Sequence, residues 1–302
     1  MKFELDMSSP RGRNLIGKHG DACEHGHRIT KEEIKKICDH YELDQTEYKI
    51  GSHTYKFLSM SNDDNADTIL VINAGNGGLH VLDANYMPDG VIWPLNLYHL
   101  FKNKNINFVV IWISYELPWN NPYVVTKELH KKFINYDLKA ETIPKTPLNE
   151  IVFCKDLPNI LSFVNSKFKH KKLWLQGSCA GAARISRYYN YYGFENNLYH
   201  GIILCNPHVG MNQKNVEKIF NTPLKKPILI LQHPGDTSQV VNLEISKKII
   251  EESQSLHKKY VEFNGGVNEG LPAFSMGHHA LRGIEDLYFK EVMNFITEDK
   301  QF

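Results

Sequence analysis

A cysteine stands between two glycines where an apolar run meets a run of small residues. Residues 173–187 read Leu-Trp-Leu-Gln-Gly-Ser-Cys-Ala-Gly-Ala-Ala-Arg-Ile-Ser-Arg, so Gly177 and Gly181 lie two positions either side of Cys179. The order Gly-x-nucleophile-x-Gly puts a reactive side chain on a tight strand-to-helix turn. A side chain two positions away would collide there with neighbouring backbone. Glycine at both flanks removes the collision. The helix that follows turns its first N–H groups toward the reacting atom, which favours a thiolate and an oxyanion. A thiol so placed does acyl transfer through a covalent thioester. Ser178 is a rival nucleophile, but Gln176 would then occupy the flanking place that needs a small residue. The plain alternative for Cys179 is a small buried side chain, and its setting between glycines argues against that.

A thiol nucleophile needs a base, and the base an acid that orients it. Residues 227–241 read Pro-Ile-Leu-Ile-Leu-Gln-His-Pro-Gly-Asp-Thr-Ser-Gln-Val-Val. An apolar strand over Ile228–Leu231 ends in a turn that carries Asp236. Pro-Gly-Asp is also ordinary turn chemistry, which is the plain reading of that aspartate. A further strand over 258–263 precedes a loop that delivers Gly277-His278-His279 to a last helix. Upstream, a strand within Asp67–Asn73 runs into Ala74-Gly75-Asn76-Gly77-Gly78.

Taken together these segments resemble the α/β-hydrolase superfamily. Its members carry nucleophile, acid and histidine in that chain order. The resemblance implies Cys179 as nucleophile, Asp236 as acid and His278 as base, with His279 the alternative histidine. In the family the loop after the early strand often reads His-Gly-Asn-Gly-Gly; here Ala74 stands where histidine is common. By that match the Asn76 N–H lines the oxyanion hole, and the second N–H comes from Ala180. Each such donor is worth roughly 2.7–4 kcal/mol in the transition state. Cysteine at the elbow is similar to dienelactone hydrolase-like members and to a minority of acyltransferases and thioesterases. The implied fold is an α/β-hydrolase fold, a mostly parallel twisted sheet with helices on both faces. No cofactor or metal is implied.

The elements that must position these residues alternate between strand and helix, as a parallel sheet requires. Residues 1–28 read as an irregular polar arm, and Thr30 caps a short helix through His40 with Glu33 in the capping-box place. Tyr48–Phe57 reads as a hairpin of edge strands turning near Gly51. Helices are expected over Pro94–Asn103, Leu148–Phe168 and Leu243–Glu252, and strands over Phe108–Ile113 and Ile202–Leu204. Ile284, Leu287, Tyr288, Val292, Phe295 and Ile296 give the last helix one apolar stripe. The organisation is therefore an N-terminal arm and short helix over 1–45 and a hydrolase-like domain over 46–302. The stretch 114–147 is too long for a plain connection and reads as a lid-like insertion. Its Trp119 and Tyr123 are candidates to wall the substrate site; the plain reading is a decorated surface loop.

Composition narrows the function class. The chain has 302 residues, a formal net charge of +1 and 42% hydrophobic residues, enough for one large domain. The near-neutral charge speaks against nucleic acid or a membrane surface as partner, and no apolar run is long enough to span a bilayer. Five cysteines, at 23, 38, 154, 179 and 205, form no disulfide framework, which fits reduced thiols and a cytoplasmic setting. His19, Cys23, His25 and His27 match no standard zinc spacing. The tyrosines at 188, 189, 191 and 192 read as helix packing and surface. The expected activity is hydrolysis of a small-molecule ester, lactone or thioester through acyl-cysteine. An acyltransferase using the same intermediate is the alternative, and a non-catalytic binding protein on this fold is a third reading.

Overall fold

In the computed structural model the described residues are 39, 43–50, 53–60, 68–73, 106–114, 148–168, 171–192, 197–207, 209, 220, 223–236, 241–266, 278, 281 and 283–299. Short apolar runs such as Thr-Ile-Leu-Val-Ile-Asn and Gly-Ile-Ile-Leu-Cys form strands, because both faces of a central parallel strand must be covered. There are eight among the described residues: β1 (Leu43–Ile50), β2 (His53–Met60), β3 (Thr68–Asn73), β4 (Ile106–Ser114), β5 (Lys172–Ser178), β6 (Gly201–Cys205), β7 (Ile228–Gln232) and β8 (Lys258–Glu262). They make one sheet in the order β1-β2-β4-β3-β5-β6-β7-β8. The β1–β2 and β2–β4 pairs are antiparallel, and every pair from β4 through β8 is parallel.

The described residues include four helices: α1 (Leu148–Lys167), α2 (Ala180–Tyr192), α3 (Leu243–Glu252) and α4 (Glu285–Glu298). Alternation along each strand sorts them onto two faces. Ile69, Val71, Leu173, Leu175, Ile202, Leu204, Ile228 and Ile230 share one core with apolar residues of α1, α2 and α3. The intervening residues face α4: the Trp174 ring meets Phe295 edge-on at 5.7 Å, and the Cys205 thiol donates to the Tyr288 hydroxyl at 3.4 Å. Helices thus cover both faces, as expected. Asn242 caps α3, its side chain accepting the Ile245 N–H at 3.1 Å.

Two sequence expectations are corrected. The hairpin forms, but only β1 is an edge strand. β2 is interior, with Thr54 opposite Ser114 and Ser59 opposite Val109 of β4. Edge or interior position depends on a partner some fifty residues away, and local alternation carries no trace of it. Leu287 is 50% exposed and does not join the α4 stripe. It precedes Tyr288 by about 100° of helical rotation, which turns it off the face that Tyr288, Val292, Phe295 and Ile296 bury. Tyr188 and Tyr189 are buried, in keeping with a packing role. The arm over 1–28, the helix over Thr30–His40 (Asp39 apart), the Pro94–Asn103 helix, the His19–His27 cluster and residues 115–147 lie outside the described residues. No helix among the described residues is long and apolar enough to cross a membrane.

Candidate active site

The sheet gathers the sequence-identified residues at its carboxyl edge. β3 lies between β4 and β5, so the chain steps outward from β3 to β4 and then crosses back over it to reach β5. Such a switch point opens a crevice beyond the strand ends. Asn73, the last residue of β3, is paired with Gly177 of β5. The carboxyl end of β3 therefore lies beside the elbow. Asn76 itself, with Trp119 and Tyr123, lies outside the described residues.

Cys179 follows the last residue of β5 and precedes the first of α2, with φ +51°. Few non-glycine residues hold this left-handed conformation, and it marks a backbone fixed by its surroundings. Those surroundings are explicit. The Cys179 N–H donates to the Cys205 carbonyl at 3.1 Å, and the Ala183 N–H donates to the Cys179 carbonyl at 3.2 Å. A Cβ on Gly177 would stand 2.6 Å from the Ala182 nitrogen and from the Gly181 carbonyl carbon. That is the backbone collision for which the elbow pattern needs glycine. Cys179 is partly exposed, whereas the Ser178 Oγ is buried, which disfavours the rival serine. Ala180 opens α2, so its N–H belongs to the helix's unpaired first turn.

Cys205 is the other described free cysteine and differs in kind. Burial pushes its thiol up to about 12, against the weaker opposing effect of its Tyr288 hydrogen bond. A neutral thiol sealed beneath α4 is an inert one.

Asp236 closes the turn after β7, its N–H donating to the His233 carbonyl at 3.0 Å. His278 comes to the same turn. Its Nδ1–H donates to the Gly235 carbonyl at 3.1 Å, one residue before Asp236. A carbonyl can only accept, so the proton is on Nδ1, and Nε2 of the neutral ring carries the lone pair. That is the tautomer a general base needs. A Cβ on Gly235 would lie 2.6 Å from His278 Nδ1, so the approach requires glycine. Asp236 and His278 are thus brought to one turn, where the Gly235 carbonyl accepts the ring's Nδ1–H.

Two further residues carry no local signal in the sequence. His233 is buried and stacks on His278, with centroids 3.9 Å apart and rings inclined by 14°. Asn206, directly after β6, is fully buried with φ +38°. Its Oδ1 accepts the His233 N–H at 2.8 Å, and its Nδ2 donates to the His278 carbonyl at 3.0 Å. Burial holds the His233 imidazole below the ordinary histidine range. The Gly265 carbonyl opposes that shift, His278 adds to it, and Asp236 opposes it.

No protein-family model matches the chain, and no curated protein matches it by sequence. Solved structures do match. A dienelactone hydrolase from Anabaena variabilis superposes with a TM-score of 0.52 at 10% identity, covering 83% of this chain and 97% of its own. A Pyrococcus furiosus esterase gives 0.52 at 9% identity, covering 89% and 94%. A soluble variant of a Saccharomyces cerevisiae monoglyceride lipase gives 0.51 at 9%, covering 85% and 95%. At such identities the likeness speaks to architecture alone. With its strand order, its two-sided helix cover and its left-handed residue between β5 and α2, this chain has the α/β-hydrolase fold.

Proposed function

We propose that the protein is a hydrolase that cleaves an ester, lactone or thioester through an acyl-Cys179 intermediate. The observation that carries this reading is the left-handed Cys179 at the β5–α2 junction, on the same sheet edge as the Asp236 turn and His278. The neighbours are themselves a dienelactone hydrolase, an esterase and a lipase, which supports the reaction class.

In this mechanism His278 Nε2 takes the proton of the Cys179 thiol while Sγ attacks the acyl carbonyl. The Asn76 and Ala180 N–H groups hold the oxyanion. The tetrahedral adduct collapses to the thioester, and Nε2 gives its proton to the departing alcohol or thiol. Water then attacks the thioester, with Nε2 as base again, and the carboxylic acid leaves as Sγ regains its proton. The Gly235 carbonyl fixes the tautomer throughout. The Asp236 carboxylate supplies negative charge beside the imidazolium. Trp119 and Tyr123 wall the acyl pocket.

Intact-protein mass spectrometry after mixing with p-nitrophenyl esters and acyl thioesters tests the reading. The expected result is an added acyl mass on Cys179, absent in Cys179→Ala. Release as free acid when alcohols, amines and thiols are present marks a hydrolase; an acyl-acceptor product marks a transferase. No acyl mass with any of these donors, and no turnover, would point to a binding protein on this fold.

A further inference from the structure

We propose that His233 is the positioning residue for His278: a neutral imidazole, stacked face to face on the base, that sets the plane in which the base's Nε2 points. The inference rests on the reading of His278 as general base and goes beyond it to the element that holds the ring.

Both ring nitrogens of His233 are committed to backbone. Nδ1 accepts the Gly235 N–H at 2.9 Å, and Nε2–H donates to the Gly265 carbonyl at 2.8 Å. An N–H pointing into Nδ1 leaves that atom no room for a proton, so charging the ring breaks a buried hydrogen bond. The same peptide segment serves both histidines. Gly235 gives its N–H to His233 and takes the Nδ1–H of His278 on its carbonyl. Asn206 closes the arrangement by joining the His233 N–H to the His278 carbonyl. His278 is thereby held by ring face, by Nδ1 and by main chain, and each hold passes through His233 or a residue bonded to it.

The stack has a chemical use. When Nε2 receives the thiol proton, a cation forms one ring thickness (3.9 Å between centroids) from an aromatic face. A neutral ring face attracts that cation, while a second imidazolium would repel it. The groups that face His233 are His278 and Asp236, with the Gly265 carbonyl at its far nitrogen. The backbone bonds assign the one added proton of the pair to His278.

Three full-chain variants, H233L, H233F and H278A, test this with p-nitrophenyl acetate as the acylating probe. H233F keeps a flat ring and loses both backbone bonds; H233L keeps neither. We expect H233L to lower kcat about a hundredfold with KM within about twofold, and H233F to recover at least about tenfold of that loss. In histidine-labelled protein, two-bond ¹H–¹⁵N spectra should give His278 as pure Nδ1–H in the wild type, near that state in H233F, and a tautomer mixture in H233L. H233L within about threefold of wild type, H233F no better than H233L, or an unchanged His278 tautomer in H233L would each overturn the proposal. If H233L does not fold, the H233F spectrum decides: loss of the Nδ1–H form there overturns it too. H278A separates the two levels. If H278A acylates at the wild-type rate, the base assignment itself fails; if H278A is dead and H233L stays within about threefold of wild type, only the role of His233 fails.

Discussion

His278 Nδ1 donates to the carbonyl oxygen of Gly235 at 3.1 Å, and a methyl group on Gly235 would sit 2.6 Å from that same nitrogen. The contact that orients the His278 ring and the absence of a side chain at 235 are one requirement. Gly235→Ala should therefore lower kcat about a hundredfold by pushing the imidazole off its bond. Far-ultraviolet circular dichroism should stay that of the wild type. Wild-type turnover in G235A would show that His278 does not depend on this contact.

The elbow geometry accepts sulfur or oxygen at position 179. Cys179→Ala should bring ester turnover to background, and Cys179→Ser should fold normally with partial activity. Initial rates on a p-nitrophenyl ester measure both. Alanine at 179 with a rate within a few-fold of wild type would end the assignment of the nucleophile.

Cys179 and Cys205 should separate in a timed iodoacetamide reaction followed by peptide mapping. Cys179 is partly exposed at a helix start, whereas burial lifts the Cys205 thiol to about 12. Only the thiolate is alkylated, so Cys179 should be modified while Cys205 stays unlabelled in the native state and reacts after unfolding. Equal native rates at both sites contradict an activated thiol.

His233 gives a pH dependence with a definite sign. Its folded-state pKa lies below the ordinary value, chiefly through burial, so the unfolded chain takes up the proton first. Stability from this residue is thus present above about pH 6.5 and declines as pH falls through that value. Urea midpoints taken on either side of about pH 6.5 should drop more for wild type than for His233→Phe. Parallel drops in the two proteins would remove His233 as the cause.

Trimming within residues 115–147, or replacing Trp119 and Tyr123 with alanine, should change acyl-length preference and raise the hydrolysis-to-transfer ratio. Acylation of Cys179 should persist, since the elbow is built from β5, β6 and α2. A substrate profile identical to wild type would exclude this segment as a pocket wall.

The elbow could be read from sequence because its constraint is local: Gly177, Cys179 and Gly181 meet within five residues, and the steric reason for glycine is in the spacing itself. The alternation of strand and helix was accessible for a similar reason, since the apolar run of β5 leads into α2 and that of β7 into α3. His233 and Asn206 were not. One belongs to the turn after β7 and the other to the turn after β6, and they meet only because Cys205 pairs with Leu231 and aligns the two strand ends. Neither residue carries a local pattern that separates it from a turn residue. The interior place of β2 and the exposure of Leu287 escaped for the same cause, as both are decided by what packs alongside.

The sheet ends, among the described residues, at β8, a five-residue strand of sequence Lys-Lys-Tyr-Val-Glu. The outer rim of such a strand offers backbone N–H and C=O groups to any extended segment that arrives, the usual start of intermolecular β-addition and fibre growth. Here the rim is short and charged, and its charges are tied to their own chain. Lys259 binds Glu291 at 2.8 Å and Glu262 binds Lys247 at 2.9 Å. An incoming strand would lie between these charged side chains, which short edge strands use to discourage pairing. A short, charged edge of this kind is a poor template for a second copy of the sheet that builds the candidate site.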